Sequence, residues 1–302
     1  LSAADGLAPP QPAATRPRQA RFKGWSLVPA SLPVLVVVAL FLVPLALMAS
    51  LSLRPNDDGL IGEGWTVENY VEAATDSFTL RALLRTLALA AGVGLSVTLL
   101  SLPVAYFLAR TESRWRGALL ALSLAPELAG VVLRTYGWLV ILDRDGAINQ
   151  ALLGLGLIAA PLPLRHSFGG VLVGMTHVLL PFGILSLYTL FRNIDPNLER
   201  AAAILGAGKL SVLFRILLPL ALPGAISAFF LSFTLTASAY ATPALLGGMN
   251  FQVLATMIYG QLLDFVNWPM ASVLANVLLV IVLCFAVLGT RMEAGIRARL
   301  HG

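Results

Sequence analysis

Residues 195–223 read DPNLERAAAILGAGKLSVLFRILLPLALP, a charged island between two long apolar runs. Glu199, Arg200 and Lys209 interrupt a small-residue segment, Ala201-Ala202-Ala203, and Gly206 and Gly208 follow it before Arg215 and the breaks at Pro219 and Pro223. Such a pattern predicts two short helices joined by a glycine elbow. Flanked by spans and too polar to enter lipid, the segment is expected at the membrane surface, where a soluble partner could grip it. Gly206-Ala207-Gly208-Lys209 is not a phosphate-binding loop, because that motif needs Gly at 203 and Ser or Thr at 210, where Ala203 and Leu210 stand.

The rest of the chain is membrane in composition. Of 302 residues, 58% are hydrophobic and only 12% charged, and the mean hydropathy is +0.85, whereas about a quarter of the residues of a soluble domain are charged. The net charge of +5 does not form a basic stripe, so nucleic acid is not an expected partner. With a single cysteine, Cys284, the chain can form no internal disulfide. His166, His177 and His301 are too dispersed for a local metal motif, and His177 is expected to be packed and hydrogen-bonded.

Outward from the island, six spans are predicted: 27–53, 80–108, 118–142, 168–190, 220–246 and 270–288. Residues 1–26, rich in Pro and Ala with Arg16, Arg18, Arg21 and Lys23, read as a disordered arm. The spanning domain is expected over 27–290, with the loop at 193–219 and a tail over 291–302. Residues 151–164, split by Pro161 and Pro163, read as a re-entrant or interfacial piece rather than a crossing. In span four, Gly170 and Gly174 stand at small-xxx-small spacing, which admits a close helix neighbour. The arm, the turn with Arg110, Arg114 and Arg116, the loop with Arg192, Arg200, Lys209 and Arg215, and the tail with Arg291, Arg297 and Arg299 hold fourteen of the twenty basic residues. By the positive-inside rule both termini and the island are cytoplasmic.

The island resembles the EAA loop of bacterial ABC importer permeases: Ala201, Ala202, Gly206, Ile216, Leu218 and Pro219 fall at the family spacing. One position departs from it. Six residues before the glycine, where the family has Glu, stands Arg200, and the acid is Glu199. Arg134-Thr135-Tyr136-Gly137-Trp138, Thr242-Pro243-Ala244-Leu245-Leu246-Gly247-Gly248 and Asn267-Trp268-Pro269 resemble the spermidine/putrescine-type permeases, as does Trp65-Thr66-Val67-Glu68-Asn69-Tyr70.

The resemblance implies an all-α, six-helix type I importer fold in the bacterial inner membrane. It implies a second, related permease, a cytoplasmic ATPase dimer that binds ATP and Mg, and a periplasmic solute-binding protein. Glu199, Arg200, Ala201, Ala202, Gly206, Ala207 and Lys209 would then meet the ATPase. The chain itself shows no nucleophile with catalytic context and no Walker motif, so it is expected to be a transport subunit without a cofactor, not an enzyme.

For the solute path, Glu127 and Arg134 are charges in apolar sequence. Seven residues apart, on one continuous helix they stand about 10 Å apart along the axis and are expected to find partners elsewhere. Thr234, Ser238 and Thr242 recur every four residues and are expected to share a face, either lining the path or bonding neighbouring helices. Tyr136, Trp138 and Tyr240 add aromatic faces suited to a polyamine, together with Glu127. Other solutes of this permease group, namely opines, organophosphonates and ferric complexes, stay open. So do two other classes, an ion-coupled secondary transporter and a membrane scaffold.

Overall fold

The computed structural model describes residues 28–57, 60–249 and 251–301; the arm expected over 1–26 lies outside the described residues. The described residues fall into two compact units that divide between Leu47 and Met48. The first contains most of α1 (Val28–Leu51), whose side chains from Pro33 to Pro44 are all exposed. The nineteen residues Pro33–Leu51 are long and apolar enough to cross a bilayer.

In the second unit, the end of α1 is tied to α2 (Glu68–Thr75) by polar contacts. Buried Ser52 shares a hydrogen bond with the Tyr70 hydroxyl, and Asn69 Nδ2 donates to the carbonyls of Ser52 and Arg54. Between them lies a two-residue hairpin, β1 (Asn56–Asp57) with β2 (Leu60–Ile61). Asp76 then caps α3 (Ser77–Arg110) by accepting from the backbone of Phe78 and Thr79. Its carboxyl is held below the usual range chiefly by the Thr79 hydroxyl, with the two backbone amides adding to the effect.

Helices α3, α7 (Phe168–Asn193), α10 (Leu218–Ala237) and α13 (Trp268–His301) form the body, α3 packing on α7 and α10, and α10 on α13. One apolar layer joins α3 and α7 to α11 (Ala241–Gly247) through Leu89, Val93, Val171, Met175 and Leu246. A second joins α3, α10, α12 (Leu254–Leu263) and α13 through Ala90, Phe233, Leu254 and Leu274. A third, with Ala105, Leu187, Phe191 and Ala221, sits at the other end of α3.

Close approach sets the α3–α7 contact. A Cβ on Gly183 would stand 2.5 Å from both Ser101 Oγ and Val97 Cγ1, so only glycine fits. Gly183→Leu is expected to overpack this seam and to lower the apparent Tm by about 5 °C or more, read by thermal denaturation in detergent. An unchanged Tm would show that the two helices can separate at little cost. Gly174 has the same role toward α11, where a Cβ would collide with Leu246, so the small-residue spacing of span four does admit a close helical neighbour.

Five helices among the described residues are long and apolar enough to cross a membrane, and a sixth crossing exists only if α4 (Arg116–Leu128) and α5 (Val131–Ile141) count as one span. The continuous span expected over 118–142 is therefore corrected. Pro126 closes α4, Gly130 is extended, and the two helices meet at 90°. Likewise the span expected over 220–246 breaks at Ser238–Tyr240 between α10 and α11. After α6 (Ala147–Gly154), residues 155–167 contain no helix, and Asn149 ties that segment down through Leu162. The expected tail is no separate element, because α13 runs through it and Glu293 pairs with Arg297.

Candidate functional site

The charged island folds as α8 (Pro196–Ile204), a turn, and α9 (Lys209–Val212), which continues through a π-helical turn at Leu213–Leu217 into α10. Asp195 caps α8 by accepting from Asn197 N, with Pro196 in the first turn. At the turn Gly206 has φ +82°, a left-handed conformation that costs other residues about 1–2 kcal/mol. A small apolar cluster of Ala202, Val212 and Leu217, with Ala207 and Ile194 against it, seats the island on the body. Arg200, Ala201 and Lys209 are exposed, and so are the large apolar side chains of Ile204, Leu205 and Leu210.

Glu199 does not face solvent as a free acid. Its carboxylate accepts from the Tyr106 hydroxyl at 2.7 Å and from Arg110 Nε at 2.6 Å. Arg110 also donates to the carbonyls of Phe191 and Ile194. One guanidinium at the end of α3 thus fastens the end of α7 and the first turns of α8 together. Arg110 and Tyr106 are site residues that the sequence reading passed over, since 89 and 93 positions separate them from Glu199. Arg200, by contrast, points outward and, among the described residues, reaches Asn197 Oδ1 at 3.5 Å.

Within the membrane body, Glu127 and Arg134 pair with each other, Arg134 Nη1 donating to Glu127 Oε2 at 2.8 Å and Nη2 to Oε1 at 3.3 Å. This corrects the expectation that each needs a partner elsewhere. The 90° corner between α4 and α5 removes the axial separation that a straight helix would impose. The Arg134 side chain is 7% exposed and that of Glu127 37%, so the acid lies in front of the base.

Trp138 meets His177 edge to face at 5.6 Å, and Tyr136 is exposed. The histidine is packed as expected, but its Nδ1 has no hydrogen-bond partner among the described residues. Thr234, Ser238 and Thr242 do not share a face, because α10 ends at Ala237. Thr234 and Ser238 bond back to the carbonyls of Phe230 and Thr234, and buried Thr242 meets Thr135 at 3.1 Å.

At the start of α3, opposite the island, a cavity of ≈ 590 Å³ has a lining that includes Glu72, Asp76 and Asp264 with Tyr240, Tyr259 and Phe265, and, among the described residues, no Lys or Arg. Tyr240 and Tyr259 stack with centroids 4.5 Å apart. With 34 residues, α3 is about 50 Å long, so acidic cavity and island lie a membrane thickness apart. Of this group Tyr240 alone was expected on the solute path; the acids come together from α2, the α3 cap and the end of α12.

Residues 15–297 match the family described as "Binding-protein-dependent transport system inner membrane component". Over 237 residues the chain is 30% identical to the spermidine/putrescine transport system permease protein PotB of Escherichia coli strain K12, covering 78% of this chain and 86% of that one. It is 32% identical over 208 residues to the molybdenum transport system permease protein ModB of Mycobacterium bovis, covering 69% and 77%. Among solved structures, a bacterial ABC transporter involved in the import of the polysaccharide alginate superposes with a TM-score of 0.73 at 18% identity, covering 90% of this chain and 96% of that one. The MetNI methionine ABC transporter gives 0.55 at 18% identity, covering 72% and 95%. The chain belongs to the inner membrane components of binding-protein-dependent transport systems, and it is a permease subunit of an ABC importer.

Proposed function

We infer that this subunit imports a polyamine. The observation that carries this reading is the 30% identity to spermidine/putrescine permeases over 78% of the chain. Two features of the structure support it. The cavity at the start of α3 offers three carboxylates and a stacked tyrosine pair with no basic residue among the described residues, which suits a flexible cation with several ammonium groups. Deeper in the body, Glu127 stands in front of Arg134, so a passing ammonium meets a carboxylate before it meets the guanidinium.

In this reading the crossings number six, with α4 and α5 as one broken span, and both termini and the island are cytoplasmic. A second permease completes the path, a periplasmic binding protein delivers the solute, and an ATPase dimer, which binds ATP and Mg, docks on α8, the elbow and α9. Outward-facing Ala201 and Lys209 meet that ATPase, while Glu199, held by Arg110 and Tyr106, fixes the island to the body. ATP-driven movement of the ATPases then shifts α8 and, through Arg110, the ends of α3 and α7.

Spermidine uptake by proteoliposomes containing the permease pair and the ATPase, with binding protein and ATP supplied, tests this. Saturable uptake is expected, and Glu127→Gln is expected to raise the apparent KM about tenfold. A second reading, an oxyanion solute, is favoured by the identity to the molybdenum permease. ATP-dependent uptake of molybdate with no uptake of spermidine would decide for it and against the polyamine.

A further inference from the structure

The geometry points to a binding site for an anionic phospholipid at the foot of α3 and α7, beside the island. A pocket of ≈ 410 Å³ opens there, and its lining includes Arg110, Arg116, Arg192 and Arg200 against Glu112 and Glu199. Arg110 and Glu199 neutralise each other. Arg116, Arg192 and Arg200 enter no ion pair among the described residues, which leaves three guanidiniums facing one acid.

Beside this pocket runs a mostly apolar groove of ≈ 660 Å³ whose lining includes Leu102, Pro103, Phe191, Leu213 and Leu217, together with Lys209. Tyr106 and Glu199 line both spaces, so the two are contiguous. Arg110 is the last residue of α3 and Asn193 the last of α7, which sets the basic pocket where two membrane-length helices reach the water boundary. Lipid phosphates lie at that level.

A soluble anion would satisfy the arginines and leave the groove empty. An apolar helix of another subunit would fill the groove and bring no anion. A phospholipid with a net negative head answers both, its phosphate among Arg116, Arg192 and Arg200 and an acyl chain along Leu102 and Leu213. By clamping α3, α7 and α8 from outside, it would add to the fastening already made by Arg110.

Native mass spectrometry of the purified full chain in neutral detergent, with added dioleoylphosphatidylglycerol or dioleoylphosphatidylcholine, tests the site. The anionic lipid is expected to bind at least about tenfold tighter, and R116Q/R192Q/R200Q to abolish that preference. R291Q/R299Q, which removes the same kind of charge on α13, should preserve it. Should the triple variant fail to fold, Arg192→Gln alone, at an exposed position, is expected to weaken phosphatidylglycerol binding about fivefold. Leu213→Trp, which fills the groove, should weaken the lipid and leave binding of glycerol phosphate unchanged. Equal retention of both lipids, no effect of Arg192→Gln, or displacement of the lipid by glycerol phosphate at equal concentration would each overturn the proposal, the last by reducing the site to a pocket for small anions.

Discussion

Gly206→Val is expected to lower ATP-driven solute accumulation at least tenfold while the chain still inserts and assembles. The reason is confined to the backbone. Gly206 sits at φ +82°, and a Cβ placed there would meet nothing within 4 Å. Substitution therefore strains the turn without a clash. Alanine costs about 1–2 kcal/mol and a β-branched residue more, while asparagine, which tolerates this region, costs less. Uptake rates should fall in the order Asn, Ala, Val, and ATPase activity of the assembled complex should be retained as uptake is lost. Full uptake by the valine variant would show that the shape of the elbow between α8 and α9 does not transmit work.

Arg110→Leu is the second large effect. It removes a guanidinium that bonds the Glu199 carboxylate and two carbonyls at the end of α7. Both charges are mostly buried, with side chains 17% and 20% exposed, and breaking such a pair from one side costs about 3 kcal/mol. Limited proteolysis should then cut within residues 199–210 at least tenfold faster, and uptake should fall in parallel. Tyr106→Phe removes a single hydrogen bond to the same carboxylate and should have a smaller effect on both measurements. Equal protease resistance in wild type and Arg110→Leu would mean that the apolar seat of Ala202, Val212 and Leu217 holds the island alone.

The sequence revealed the elements of this fold better than their breaks. Hydropathy located the long apolar helices because each is about 20 residues or more of nearly uncharged sequence, a signal that needs no tertiary context. The elbow was legible because glycine, proline and charge punctuate it locally. Pro126 and Gly130 are also punctuation, but proline and glycine are tolerated inside membrane helices. Only the packing of α5 against α11 shows that here they turn the chain through a right angle. The hydroxyl stripe of span five failed for the same reason, since a period of four residues means one face only while the helix continues. Glu199 finding Arg110, and Glu72 finding Asp264 across one cavity, are long-range meetings that no local pattern encodes.

Between α4 and α5 the chain turns through 90°. Pulled into a straight rod, this segment would carry Glu127 and Arg134 about 10 Å apart, and their hydrogen-bonded contact would be lost. The pair therefore acts as an electrostatic cross-brace. Any rearrangement that unbends this segment must first separate two opposite charges, one on a side chain only 7% exposed, so rigid-body tilting of the whole elbow is favoured over its extension.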